Sequence, residues 1–190
     1  MDVKNCDNLS ISPWICRFSR LFSEGRTVLD LAAGAGRHSI WCLDQGFTVT
    51  AVDRATEALA ARRQTDPARF SRLEIIEADL ENGTSWPLSN RRFDGIIVVN
   101  YLWRPLFPSI IDALNDGGVL LYETFASGHE ALGKPSNPDF LLKPGELLDV
   151  VAGRLDVIAF EQGRIEDPDR PAIKQRIAAG RTGVVTLPPP

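Results

Sequence analysis

The sequence predicts an α/β fold, with a doubly wound, mostly parallel sheet of seven strands and helices on both of its faces. Short apolar runs alternate with helix-like segments, which is the order of elements in a parallel sheet with crossover helices. One run, 95–99, is apolar on both faces, as expected for a central strand that helices cover on either side. A chain of 190 residues fits one domain, so we take 1–190 as a single unit.

The individual elements follow from apolar periodicity and from residues that start or stop a helix. Ser12 and Pro13 suit the N-cap and the first helical position, and the apolar residues after them share one face, which predicts an N-terminal helix over 13–23. Gly46 and Pro67 mark the ends of the next two helices. The predicted strands cover 27–31, 48–52, 73–78, 95–99, 119–123, 154–161 and 172–179, and the later helices cover 36–45, 55–65, 105–114 and 144–152.

Three segments between or after these elements are predicted to be irregular. Residues 116–118, Asp-Gly-Gly, are typical of a turn before a strand. Segment 125–142 contains two glycines and two prolines, and a loop of this length inside a compact domain is typical of a lid or a binding loop. Segment 180–190 ends in three prolines, so we expect a flexible tail.

Composition and charge restrict the class of protein. The net charge of −4 disfavours a nucleic-acid partner, although four arginines could form a local basic group, Arg62, Arg63, Arg69 and Arg72. The three cysteines lack metal-ligand spacing, so we predict no metal, and their odd, sparse number favours a reducing compartment. The N-terminus has no apolar signal core, and no apolar run reaches the roughly 18 residues that span a bilayer. We therefore expect a cytoplasmic protein without a membrane segment.

Segment 28–39 joins an apolar strand to a helix through a turn that contains Gly34 and Gly36. Glycine reaches positive φ and lets the backbone approach a ligand, and the helix start supplies unpaired N–H groups with a partial positive charge. The next predicted strand is followed by Asp53, an acid suited to accept hydrogen bonds from both hydroxyls of a ribose. Together these features predict a site for a nucleoside cofactor.

The residues around the two glycines favour one cofactor over others. A dinucleotide site has a third glycine or alanine where this chain has Ser39. Asp30 at the strand end disfavours a pyrophosphate and favours a cation such as the amino group of a methionine moiety. Neither tyrosine is followed by lysine four residues later, a pair found in nicotinamide-dependent oxidoreductases. Two alternatives stay open, a nicotinamide dinucleotide and a glycine-rich turn that binds nothing.

Five consecutive predicted strands have a polar side chain at or just beyond their carboxyl ends. Doubly wound sheets bind their ligands at this edge, so we expect these side chains to lie around one site. They are Asp30, Asp53, Asp79, Asn100 and Glu123.

Segment 30–36 resembles motif I of the class I S-adenosylmethionine-dependent methyltransferases, and the resemblance extends over 27–162. It implies a Rossmann-like fold, S-adenosylmethionine as cofactor and S-adenosylhomocysteine as product. It places the methionine moiety on the glycine turn with its amino group at Asp30, the ribose at Asp53 and the adenine at Asp79, Leu80 and Arg54. Arg37 would face the methionine carboxylate. The complete predicted cofactor set is Asp30, Ala32, Gly34, Ala35, Gly36, Arg37, Asp53, Arg54, Asp79, Leu80 and Asn100.

A narrower resemblance links 101–106, 122–125 and 137–147 to small bacterial methyltransferases of the tellurite-resistance type. Trp103 stands where that group has histidine, and tryptophan does not act as an acid or a base. The departure weakens any transfer of substrate or mechanism from this group.

Methyl transfer from a sulfonium needs mainly the orientation of donor and acceptor, so a catalytic constellation is not required. The candidates for catalytic or acceptor contacts are Glu123, His129 and Tyr101, with Arg104 nearby; the other interpretation of Glu123 is a pair with a loop cation, Lys134 or Lys143. We predict a methyltransferase for a small-molecule acceptor, as a monomer or homodimer. A methyltransferase of RNA or protein and a non-catalytic S-adenosylmethionine-binding protein are the alternatives.

Overall fold

A seven-stranded sheet in the order β3-β2-β1-β4-β5-β7-β6 forms the centre of the protein. The computed structural model describes residues 11–22, 26–83, 86–166, 171–181, 183 and 185–189. β7 runs antiparallel to β5 and to β6, while the other neighbouring strands are parallel. The predicted doubly wound, mostly parallel fold is therefore confirmed. The strands are β1 Thr27–Leu31, β2 Thr48–Asp53, β3 Leu73–Glu77, β4 Phe93–Val99, β5 Leu114–Phe125, β6 Asp156–Ile165 and β7 Ala172–Gly180.

Helices cover both faces of the sheet, as predicted. Buried side chains of α1, α2 and α3 pack on one face, around Trp14, Trp41 and Leu59. Those of α4 and α5 pack on the other face, around Ile110 and Leu147. The helices are α1 Pro13–Phe18, α2 Arg37–Asp44, α3 Glu57–Thr65, α4 Phe107–Asp112 and α5 Glu146–Val151.

The N-terminal helix is shorter than the predicted 13–23. It starts as predicted, because the Ser12 hydroxyl accepts hydrogen bonds from the amides of Trp14 and Ile15. It becomes a 3-10 turn at Ser19–Leu21, where the Ser19 hydroxyl donates to the carbonyl of Cys16. Residue 23 lies outside the described residues.

Strand β5 is longer than predicted, and it absorbs the predicted turn at 116–118. Its pairing with β4 shifts from Phe93 opposite Leu114 to Gly95 opposite Val119, so the extra residues form a bulge in which Gly117 has φ 78°. Arg181 pairs with this bulge through its amide, which donates to the carbonyl of Gly118. The predicted tail is therefore held as far as residue 181, and residues 182, 184 and 190 lie outside the described part. The predicted helix 105–114 is divided into a 3-10 turn, Arg104–Leu106, and α4.

The order of strands reverses between β1 and β4, which makes the carboxyl ends of these two strands the expected ligand crevice. The residue just after each strand, Ala32 and Asn100, has φ 56° although neither is glycine. Such left-handed residues are uncommon outside glycine and concentrate at functional sites. Among the described residues, no helix is both long and apolar enough to cross a membrane.

Candidate active site

A cleft of about 150 Å³, which we call the nucleoside cleft, lies beyond the carboxyl ends of β1, β2 and β3. Six of the eight residues that line it belong to the predicted site set, whereas Ala78 and Glu81 do not. The lining residues are Ala32, Asp53, Arg54, Ala78, Asp79, Leu80, Glu81 and Tyr101.

Asp53 connects the end of β2 to the glycine turn. Its two carboxylate oxygens accept hydrogen bonds from the amides of Gly34, at 2.7 Å, and Ala55, at 2.9 Å. Each oxygen keeps a second lone pair, and the residue is half-buried in the cleft wall. Asp53 is thus held rigidly and still offers acceptors to a ligand.

The two glycines of the turn both have positive φ, but the space around them differs. Gly36 has φ 78° and precedes α2, and a Cβ at this position would collide with the side chain of Leu59. Gly34 has φ 55°, but a Cβ there would meet no atom within 4 Å. Gly36 is therefore required for packing against α3, whereas Gly34 and the exposed Ala35 leave open space beside the turn.

Asp30 lies beneath the glycine turn and is only 2% exposed. Its carboxylate accepts a hydrogen bond of 2.5 Å from the Ser39 hydroxyl in α2. Burial raises the pKa of Asp30 to about 6, although the hydrogen bonds from Ser39 oppose this shift. The structure thus gives Asp30 a contact that supports α2, and the cofactor contact that the resemblance implies stays a prediction.

Tyr101 closes the side of the nucleoside cleft that faces β4. Its hydroxyl is buried and, among the described residues, no group lies at hydrogen-bond geometry to it. Burial and the nearby carboxylates of Glu81 and Asp79 raise its pKa. Glu81 was absent from the sequence prediction; its amide donates to Asp79 at 2.9 Å, and this turn brings it to the cleft. A buried hydroxyl beside two carboxylates suits a nucleoside, which carries both donors and acceptors.

A second group of polar side chains, the β5–β7 cluster, consists of Asn100, Glu123, Lys174 and Arg176. Glu123 is 3% exposed, and its carboxylate lies 3.1 Å from Lys174 Nζ and 3.7 Å from Arg176 Nε. Lys174 also donates to Asn100 Oδ1 at 2.7 Å. The partners of Glu123 are thus on β7, and the expected pairing with a loop cation, Lys134 or Lys143, is wrong.

Arg37 and His38 begin α2 next to this cluster. Burial lowers the pKa of His38 to about 3, and the positive charges of Arg37 and Lys174 lower it further. The Nε2 atom of His38 accepts a hydrogen bond from the amide of Ser12. The neutral form that this contact requires is therefore the form that the surroundings favour.

His129 is buried within the predicted loop 125–142 and stacks on Phe125 at 4.3 Å between ring centroids. Its Nδ1 atom accepts from the amide of Ile173 at 3.3 Å, so Nε2 carries the proton and donates to the Lys134 carbonyl at 3.1 Å. Both ring nitrogens are occupied by main-chain partners, which leaves neither one for proton transfer in this conformation.

Arg104 clamps the loop against the segment that follows β4. Its guanidinium donates twice to the Glu146 carboxylate, at 2.6 and 3.0 Å, and to the carbonyls of Asp139 and Leu141. The two ends of the loop are joined through a bridge between Ala126 and Leu142. The segment is thus a closed, anchored loop at the same edge of the sheet as the cleft.

Residues 28–118 match a family model described as a methyltransferase domain. This part of the chain is similar to a methyltransferase domain. The curated glycine/sarcosine N-methyltransferase of Parasynechococcus marenigrum (strain WH8102) is 34% identical over 96 residues, which are 47% of this chain and 32% of the relative. The chain therefore spans about a third of the length of this relative.

Solved structures show the same fold around the domain. The crystal structure of TehB from Haemophilus influenzae has a TM-score of 0.72 at 20% identity, over 90% of this chain and 62% of that chain. The glycopeptide N-methyltransferase MtfA, in complex with S-adenosylmethionine, has a TM-score of 0.60 at 21% identity, over 87% and 85% of the two chains. The fold is that of the class I methyltransferases, whose methyl donor is S-adenosylmethionine.

The methyltransferase domain match divides the predicted site residues into two groups. All predicted cofactor residues, from Asp30 to Asn100, lie inside 28–118, as does Tyr101. Glu123 and His129 lie outside it, as do the two β7 cations that the sequence prediction missed. Lys174 and Arg176 occur in a segment that resembles an ordinary edge strand, so no local pattern marks them.

Proposed function

We propose that this protein is an S-adenosylmethionine-dependent methyltransferase that acts on a small-molecule acceptor. The observation that carries the proposal is the nucleoside cleft, which joins Asp53, Asp79 and Tyr101 to the glycine turn at the point where the strand order reverses. The cofactor supplies an electrophilic methyl group on a sulfonium, and its departure leaves a neutral thioether.

The residues of the cleft would hold this cofactor by its polar groups. The free lone pairs of Asp53 suit the two ribose hydroxyls, and Asp79 suits the exocyclic amine of adenine. The exposed turn at Gly34 and Ala35 leaves room for the methionine moiety, and Arg37 at the start of α2 suits its carboxylate. Asn100, at the end of β4, would then be the member of the β5–β7 cluster nearest to the donor, and it accepts a hydrogen bond from Lys174.

The chain would accelerate transfer by orienting the two reactants and by excluding water. The anchored loop 125–142 lies at the edge of the sheet where the acceptor would bind, and Arg104 holds it in place. A small acceptor is supported by this closed edge and by the curated relative, which is named for glycine and sarcosine.

An RNA acceptor is less well supported by the arginine group at 62–72. Arg69 forms a salt bridge with Asp44 at 2.6 Å, and Arg72 donates to the carbonyl of Leu43. Two of the four arginines are thus engaged within the protein, so they are poorly placed to form a phosphate-binding surface.

A calorimetric titration with S-adenosylhomocysteine tests the proposal, with NAD as the control ligand. We expect one-to-one binding of S-adenosylhomocysteine and no heat from NAD. A folded sample that binds NAD, or neither ligand, would contradict the proposal. Transfer of a labelled methyl group to a mixture of small amines, thiols and acids then separates an enzyme from a protein that only binds the cofactor.

A further inference from the structure

The buried part of the β5–β7 cluster has more positive than negative charge. The side chains of Lys174 and Arg176 are 12% and 16% exposed, and the one buried carboxylate between them, Glu123, is 4% exposed. A second carboxylate, Glu161, lies 3.6 Å from Arg176, but it is 53% exposed and also lies 3.9 Å from Arg17. Among the described residues, the nearly buried charges of this cluster therefore sum to one unit of excess positive charge, which is costly to bury without an anion.

Within the described part of the chain, Lys174 and Arg176 also have hydrogen-bond donors that no acceptor satisfies. The contacts of Arg176 with Glu123 and Glu161, at 3.7 and 3.6 Å, are longer than hydrogen bonds, and its guanidinium has five N–H groups. Lys174 uses two of its three donors, on Asn100 and Glu123. The cluster thus holds directed donors that a ligand with acceptor oxygens would satisfy.

The pKa shifts of Lys174 and His38 also indicate positively charged surroundings. Burial lowers the pKa of Lys174, and the charges of Arg176 and Arg37 lower it further against the opposing effect of Glu123. Burial also lowers the pKa of His38, and the charges of Arg37 and Lys174 lower it further. An anion bound at this place would relieve the repulsion between the cations.

The cluster is adjacent to the nucleoside cleft, since Asn100 precedes Tyr101 and its exposed side chain accepts from Lys174. We propose that the acceptor carries a carboxylate, which Lys174 and Arg176 bind next to the reacting atom; the inference rests on the proposed function. The one excess charge of Lys174, Arg176 and Glu123 is neutralised by a singly charged carboxylate. The planar guanidinium of Arg176 suits two carboxylate oxygens, and Lys174 supplies a point charge.

Ligand-observed NMR with three probes of equal size tests this inference. Benzoate, benzamide and benzylamine are titrated into the protein saturated with S-adenosylhomocysteine. We expect benzoate to bind at least tenfold more tightly than benzamide, and Lys174→Gln and Arg176→Gln each to weaken benzoate about tenfold or more. Arg164→Gln, on the exposed edge strand β6, is the matched control and keeps the affinity of the wild type.

A double variant covers the case in which Lys174→Gln does not fold. The variant with both Glu123→Gln and Lys174→Gln removes the buried pair together, so it stays folded if Lys174→Gln alone does not. Equal affinity for benzoate and benzamide, benzoate affinity unchanged in the folded variants, or preferential binding of benzylamine that Glu123→Gln abolishes would overturn the inference. Absence of S-adenosylhomocysteine binding in the first step would instead contradict the proposed function.

Discussion

In the nucleoside cleft the carboxylates accept hydrogen bonds from main-chain amides, whereas in the β5–β7 cluster the carboxylate is paired with side chains. Asp53 and Asp79 bind amides of their own or a neighbouring turn. Glu123 depends on Lys174 and Arg176, which are about fifty residues away in the chain. Main-chain amides keep a carboxylate in position whatever side chains surround it. Where side chains hold the carboxylate, one substitution among them changes the charge of the site.

The largest effect on stability is expected in the β5–β7 cluster. Glu123→Ala leaves two nearly buried cations without their shared carboxylate, and we expect a loss of about 3–5 kcal/mol in the free energy of unfolding, measured with urea. Glu161→Ala removes a half-exposed carboxylate and should cost less than about 1 kcal/mol. Equal losses in the two variants would show that Glu123 is not the dominant counter-ion.

The glycine turn provides the next largest effect and a matched pair. Gly36→Ala combines a strained positive φ with a collision at Leu59, so we expect a loss of about 2–4 kcal/mol in the free energy of unfolding. Gly34→Ala has the strain alone and should lose about 1 kcal/mol. If the two variants are equally destabilised, the packing of Gly36 against α3 is not what requires glycine.

The pH dependence of stability compares Asp30 in β1 with His38 in α2, both of which are buried. His38 has a folded pKa of about 3, below its ordinary 6.5, so its contribution is complete above pH 6.5 and is lost as the pH falls. Relative to His38→Gln, the wild type should lose up to about 3 kcal/mol between pH 6.5 and pH 4, at about 1.4 kcal/mol per pH unit.

The contribution of Asp30 to the free energy of unfolding should change with pH in the opposite direction. Its folded pKa of about 6 lies above its ordinary 3.8, so the folded state binds the proton more tightly and stability falls as the pH rises from about 4 to 6. The two contributions oppose each other in the wild type, and Asp30→Asn should make the acid loss steeper. Urea unfolding at a series of pH values measures both slopes, and parallel curves for all three proteins would refute the assignment.

The smallest of these effects concerns the cleft itself. Asp53→Ala removes acceptors for the ribose and a contact to Gly34, and we expect S-adenosylhomocysteine to bind about 1–3 kcal/mol more weakly by calorimetry. Asp116→Ala, at an exposed carboxylate in the β5 bulge, is the control and should leave the affinity unchanged. Wild-type affinity in Asp53→Ala would place the nucleoside elsewhere.

The sequence by itself determined the parts of this protein whose signals are local. Apolar runs marked all seven strands, and the fold class is confirmed. The glycine turn and the acids at strand ends predicted residues that do line one cleft, including Asp53 and Asp79. Parallel strands make this possible, because their carboxyl ends meet at one edge whatever the packing of the rest.

Only the tertiary structure decided the features that depend on residues distant in sequence. It buried Asp30 against α2, engaged both ring nitrogens of His129 with main-chain groups, and paired Glu123 with β7 in place of the loop. The reason is the strand order, because β7 lies between β5 and β6. Lys174 and Arg176 therefore contact Glu123 of β5, and no local pattern in their own segment predicts this contact. Hydrophobic alternation specifies that a strand forms, but the identity of its neighbour specifies what its polar side chains do.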